Sequence, residues 1–242
     1  MTLFRKILFK LHVGLFQRDR EGRIAALAAR EPTYAAFLQV LTQGEAVGVR
    51  GHPWRALDIE KVLRMLAPKR IAELGSGTST GIFASYVRER DGASLISVDE
   101  TEHWAGLTRA GLEAVGLAPH PRIDVVASRR IEGRRGSHYA FTIEPDIDLV
   151  YVDGPSVSKR DGKGTPNEDV LRAFEAGHFP RAIVVDGRIE TVDAIRRHPG
   201  GRGYAFTPGL SYLAKAPDLE LRDVLAIGAF HRHSLFVRKP DA

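Results

Sequence analysis

The chain has 242 residues, 43% of them hydrophobic, and 35 Lys and Arg against 30 Asp and Glu give a formal net charge of +5. That is enough apolar material for one substantial α/β domain and too little chain for two full ones, and the charge excess is too mild and too dispersed to mark a nucleic-acid binder. There is no cysteine, which excludes disulfides, Cys-based zinc sites and a thiol nucleophile and fits a reducing, cytoplasmic compartment.

The segment Met1 to Phe16 is basic and apolar. Leu3, Ile7, Leu11 and Leu15 share one helical face, with Arg5, Lys6 and Lys10 between the apolar faces. Lys10 and His12 interrupt the stretch, so it is not a secretory leader. No apolar run in the chain is long enough to cross a bilayer. Such a helix packs on its own domain or on a second subunit of a homodimer; the sharper alternative lays residues 1–20 on the inner, anionic face of a membrane. Helical stretches follow at Ile24–Ala29, Tyr34–Leu41 and Leu57–Leu66. A glycine-rich loop from Gly44 to Pro53 separates the second from the third, and Pro68 closes the third. Residues 1–68 therefore read as a helical extension or cap, and residues 69–242 as the core.

From Lys69 strands alternate with helices. The expected strands are Arg70–Leu74, Ser94–Asp99, Arg122–Ala127, Ile147–Asp153 and Arg181–Asp186. The expected helices are Ser79–Arg88, Glu102–Val115, Glu168–Ala176 and Ile189–Arg197. This alternation predicts a doubly wound, mostly parallel sheet with helices on both faces. Two further strands, Leu221–Phe230 and Ser234–Val237, are expected to form an antiparallel pair through a turn at His231, Arg232 and His233.

The segment Ile71-Ala72-Glu73-Leu74-Gly75-Ser76-Gly77-Thr78 carries the chemistry. A strand ends at Leu74, a glycine turn follows, and a helix begins near Ser79, with Thr78, Ser79 and Thr80 as candidate caps. Gly75 and Gly77 let the backbone turn sharply and approach a ligand, and the new helix points free N–H groups into the same space. The spacing from Gly75 and Gly77 to Gly81 is one residue too long for a dinucleotide fingerprint. No Gly-Lys-Ser/Thr closes a phosphate loop. Glu73 would repel a pyrophosphate and suits a cationic ligand.

Glu73-x-Gly75-x-Gly77 resembles the first motif of class I S-adenosylmethionine-dependent methyltransferases. The resemblance spans roughly residues 69–240 and implies a sheet of about seven strands whose last pair is antiparallel. It implies that Glu73, Gly75, Ser76, Gly77 and Thr78 lie at the cofactor, that Asp99, with Glu100 beside it, ends the second strand at the ribose hydroxyls, and that Ser128 borders the adenine. Asp153, at the end of the fourth strand, stands at the cofactor mouth. Asp153 and Asp186 also match two metal-ligand positions of catechol-type O-methyltransferases. Gly187 stands where an Asn ligand belongs, and Arg188 opposes a cation, so a divalent metal is not favoured.

Methyl transfer requires a positioned nucleophile and a place for its proton, and Asp153 and Asp186 are the candidate catalytic residues. The resemblance implies transfer to an oxygen, or to a nitrogen, of a small-molecule or glycan acceptor. The polar loop Ser156 to Asn167, with Lys159, Arg160 and Lys163, reads as a lid or substrate loop whose charge suits an anionic acceptor. Plain surface is the alternative for it, as it is for the basic cluster Arg129-Arg130 and Arg134-Arg135. His52 and Trp54 are candidate covers of the site, and His231 and His233 read as an exposed turn. Rival functions on the same core are an aminopropyltransferase, a nicotinamide enzyme, and a non-catalytic membrane- or partner-binding module.

Overall fold

A computed structural model describes residues 20–43, 53–160, 162–213, 230 and 232–241. The expected helix at residues 3–16, the loop at 44–52 with His52, the expected strand at 221–229 and His231 lie outside the described residues, as does the Trp54 side chain.

Three helices come first: α1 (Arg20–Arg30), α2 (Pro32–Gln43) and α3 (Pro53–Leu66). Alternation then begins with β1 (Arg70–Leu74), α4 (Thr78–Glu89), β2 (Ser94–Asp99), α5 (Glu102–Ala114) and β3 (Ile123–Ala127). Two short strands, β4 (Arg130–Glu132) and β5 (Ser137–Tyr139), pair with each other ahead of β6 (Leu149–Val152). The polar loop folds into a small antiparallel ribbon of β7 (Lys159–Arg160) and β8 (Lys163–Gly164), followed by α6 (Asp169–Glu175), β9 (Ala182–Asp186) and α7 (Ile189–Arg197). The chain continues through β10 (Tyr204–Thr207), the single turn α8 (Leu210–Leu213) and β11 (His233–Arg238).

Among the described residues the main sheet has seven strands in the order β3-β2-β1-β6-β9-β11-β10. The first five of these run parallel. All residues of β6 and β9 are buried, as central strands covered by helices on both faces must be. β11 runs antiparallel to both β9 and β10. The antiparallel element is therefore present, but its partners differ from the expected ones. Tyr204–Thr207 pairs with β11 in register from Tyr204 opposite Arg238 to Thr207 opposite Leu235. The four-residue β10 is hidden in sequence between the breakers Pro199-Gly200-Gly201 and Pro208-Gly209, too short to display a period.

Two apolar cores flank the sheet. On one face, Leu27, Phe37 and Ile59 of α1, α2 and α3 join Phe83 of α4 and Leu112 of α5. On the other, Val170 and Phe174 of α6 and Val192 and Ile195 of α7 cover β6 and β9. Phe37 has no exposed surface, and its burial contributes roughly 2–3 kcal/mol. Its ring lies where a Cβ on Gly81 would stand, 2.1 Å away, and also abuts Gly111. Gly81 thus seats a helix rather than a phosphate.

Candidate functional site

At the carboxyl ends of β1, β2 and β6 lies a cavity of about 470 Å³. Its wall includes Gly75, Ser76, Gly77, Thr78, Asp99 and Glu100. Asp153 and Gly154 lie opposite, and Leu41, Trp104 and Leu107 give an apolar side. The position follows from parallel strand topology, where crevices open beyond the strand ends.

The glycine turn is built around Glu73. This carboxylate does not face the cavity: it is fully buried beneath the turn, where Oε1 accepts from the Ser79 hydroxyl at 2.5 Å and Oε2 accepts from Thr80 at 2.7 Å and Ser97 at 2.6 Å. Thr80 in turn accepts from the Gly77 N–H at 2.9 Å. The chain of bonds runs from the turn's backbone into the strand below it, and fixes the turn's shape. Burial pushes the Glu73 carboxyl up to about 7 against the three hydroxyl donors that oppose the rise. The helix begins one residue earlier than the sequence suggests, at Thr78, with Gly77 as its cap.

Gly75 has φ +104°, and a Cβ there would stand 2.7 Å from the Gly154 amide nitrogen. The turns after β1 and β6 therefore cross at a distance only two glycines allow. Gly154 was not among the residues singled out from sequence, because its constraint comes from a strand that is not adjacent in the chain.

Asp99 is largely buried and lines the cavity. Its Oδ2 accepts from the Ser76 amide at 3.2 Å and the Ser76 hydroxyl at 3.0 Å, and Oδ1 from the Thr101 amide at 3.3 Å. Burial raises its pKa, and these donors limit the rise. Glu100 binds the Ser156 hydroxyl and amide, tying the end of β2 to the segment after β6. Trp104, in the first turn of α5, is 38% exposed beside them. Ser128 does not line the cavity; its hydroxyl is buried without a hydrogen-bond partner.

Beyond Asp153 the character changes. Arg55 Nη1, reaching in from α3, lies 2.9 Å from Asp153 Oδ2 and 3.2 Å from Asp186 Oδ2. Arg232 Nε donates to Asp186 Oδ1. Arg188 donates to the Asp153 carbonyl, with its Nε 3.7 Å from Asp153 Oδ1. Asp153 keeps a quarter of its side chain exposed, whereas the Asp186 side chain has none. Burial and the neighbouring Asp186 push the Asp153 carboxyl up. Burial would raise Asp186 too, but His233, Arg55 and Arg232 hold it below its ordinary value. Asp186 does not reach the cavity, so of the two candidate catalytic aspartates only Asp153 faces it.

Behind Asp186 stands a third layer. His233 is buried in β11 rather than exposed in a turn, which corrects the sequence expectation. Its Nδ1 lies 2.8 Å from Asp58 Oδ2, and its Nε2 3.0 Å from the Tyr151 hydroxyl and 3.9 Å from Asp186. Burial disfavours the charged imidazole, but the Asp58 bond and the Asp186 charge outweigh it and raise its pKa. Sequence reading missed Arg55, Asp58 and Tyr151, and also Tyr139, which lines the cavity. One signal was available: Arg55, Asp58 and Val62 share a helical stripe at i, i+3 and i+7, and two charged residues on an inward stripe need partners. The basic residues of the β7–β8 ribbon stay outside the cavity; among the described residues of that loop, Ser156 alone lines it.

The strand order is that of solved methyltransferases, whose fold the chain adopts. It superposes on an O-methyltransferase from Bacillus cereus in complex with SAH at a TM-score of 0.50 and 13% identity, over 85% of this chain and 91% of that one. A methyltransferase from Geobacter sulfurreducens matches at a TM-score of 0.50 and 13% identity, over 90% and 98%. No family model matches the sequence. Among curated proteins, LexA repressors of Burkholderia cenocepacia (strain HI2424) and Burkholderia lata are similar at 29% identity over 169 residues, 66% of this chain and 68% of theirs.

Proposed function

We propose that this chain is an S-adenosylmethionine-dependent methyltransferase acting on an oxygen of a small-molecule acceptor. The observation that carries the reading is the junction of Glu73, Gly75, Asp99 and Gly154 at the carboxyl ends of β1, β2 and β6. The cofactor fits this donor set. A Cβ at Gly77 would meet nothing within 4 Å, so the turn leaves its cavity side open to a ligand. Asp99 offers a carboxylate to vicinal hydroxyls, and Trp104 and Leu107 offer an apolar wall to a base. The volume lies in the ordinary range for small-molecule sites.

Bound there, the cofactor would supply an electrophilic methyl group on a sulfonium, whose sulfur would keep both electrons of the C–S bond. The chain orients the acceptor and takes up its proton. Asp153 Oδ1, the carboxylate oxygen not bonded to Arg55, accepts the hydroxyl proton as the acceptor oxygen becomes an ether or ester oxygen. Glu73 acts beneath the turn, by keeping Gly77 in place. The helices α2 and α3 act as a cap that contributes Leu41 and Arg55 to the wall.

Calorimetry with S-adenosylmethionine and with NAD, on the native chain and on Asp99→Ala, tests the reading. We expect S-adenosylmethionine to bind, NAD not to bind, and the variant to bind S-adenosylmethionine at least about tenfold more weakly, the effect of losing a charge-assisted hydrogen bond. Binding of NAD in preference would overturn the reading.

A further inference from the structure

Tyr139, the last residue of β5, belongs both to the apolar core and to the cavity wall. It is 1% exposed, and its backbone is fixed from below. Its amide donates to Asp169 at 3.1 Å, and the Asn167 side-chain amide donates both to Asp169 at 2.7 Å and to the Gly154 carbonyl at 2.8 Å. Asn167 and Asp169 are themselves buried, so one closed network ties β5 to the turn after β6. It seats the Tyr139 hydroxyl against Gly154: a Cβ there would stand 2.0 Å from that oxygen, and 2.8 Å from the Gly75 Cα. The hydroxyl has no hydrogen-bond partner among the described residues, yet it is not sealed among apolar atoms; its opening is the cavity. The buried Tyr151 and Tyr204 hydroxyls show the usual arrangement, bonding to His233 and to the Pro180 carbonyl.

We propose that Tyr139 is a cofactor-binding residue, whose hydroxyl donates a hydrogen bond to S-adenosylmethionine where the turns after β1 and β6 cross; this rests on the methyltransferase reading. A phenylalanine would fill the same place in the core, so packing gives the hydroxyl nothing to do. A ligand that fills the cavity expels the water that would otherwise solvate it, and must then supply an acceptor or leave the group unpaired. The hydroxyl rests on Gly154 and Gly75, the crossing that carries the cofactor reading, rather than on Asp186 or Arg55. Burial and the charge of Asp99 raise the phenol above its ordinary value, with Arg188 opposing the rise, so the group stays a neutral donor. It takes no proton from the acceptor, and that role stays with Asp153. A donor on a rigid, fully tied strand end is placed before the ligand arrives.

The test compares the full native chain with Tyr139→Phe and Tyr204→Phe. Calorimetry measures the affinity of each for S-adenosylhomocysteine, and thermal unfolding without ligand measures their stability. Tyr139→Phe should bind S-adenosylhomocysteine about three- to tenfold more weakly, the effect of one neutral hydrogen bond, and should melt no lower than the native chain. Tyr204→Phe, which loses a bond inside the protein at 2.6 Å, should do the reverse: melt lower and bind the ligand as the native chain does. An affinity of Tyr139→Phe within about twofold of native would overturn the proposal. So would a fall in its melting temperature as large as that of Tyr204→Phe, because the hydroxyl's partner would then lie inside the protein. Failure of the native chain to bind S-adenosylhomocysteine would instead count against the methyltransferase reading itself.

Discussion

The two ends of the cavity are assembled in opposite ways. The end beneath the glycine turn carries Glu73, Asp99 and Glu100, and its bonds join residues that neighbour each other along the chain or across adjacent strands: Gly77 to Thr80, Thr80 to Glu73, Ser76 to Asp99. The far end carries Arg55, Arg188 and Arg232, and its pairs connect positions 98 residues apart for Arg55 with Asp153 and 46 apart for Arg232 with Asp186. The first end is a local motif that any copy of the fold can repeat. The second depends on how α3 and β11 dock on the sheet. Cofactor recognition is thus expected to be robust and acceptor recognition easily altered.

Arg55→Ala tests the assembled end most severely. It leaves two neighbouring carboxylates without their shared partner, a loss expected to cost about 3–5 kcal/mol. Asp153→Asn in the same chain should restore part of that, and urea unfolding of the single and double variants measures the coupling. An additive double variant would mean that the bridge does not hold α3 to the sheet.

Gly75→Ala tests the local end. Its Cβ would meet the Gly154 backbone at a residue with φ +104°, and the strain is expected to be on the order of 1–3 kcal/mol. Because both turns must shift, affinity for S-adenosylmethionine should fall along with stability.

Glu73→Gln separates charge from shape at that end. The folded carboxyl is raised to about 7, so its contribution to stability is complete below its ordinary range and is lost as pH rises through about 7. Gln does not titrate. The variant should therefore gain on the native chain between pH 5 and pH 8, and melting temperatures across that range measure the gap. A gap that does not change with pH would mean that Glu73 is not ionised by folding-linked titration in this window.

Trp104→Ala is expected to be the mildest. The side chain is 38% exposed, so stability should change by no more than about 0.5 kcal/mol. Affinity for S-adenosylmethionine should still fall measurably in calorimetry if the indole lies against the bound base.

Much was legible from sequence because it is periodic or local. The five parallel strands and the helices between them follow from apolar runs and their punctuation, and the turn at Gly75 and Gly77 follows from the need for backbone without side chains. The cavity gathers Gly75, Ser76, Gly77, Thr78, Asp99, Glu100 and Asp153, all expected there. What was not legible is what no local pattern encodes. The strand Tyr204–Thr207 is a strand only because β11 pairs with it. His233 is buried because β11 enters the sheet between β9 and β10.

The sequence by itself determined the sheet, the glycine turn and the sign of the charge beneath it, since each follows from spacing within a few residues. Only the tertiary structure decided what those charges do. Glu73 holds the turn from below, because three hydroxyls on α4 and β2 meet its carboxylate and exclude solvent. Asp153 and Asp186 share a guanidinium, because the packing of α3 on the sheet brings Arg55 between them.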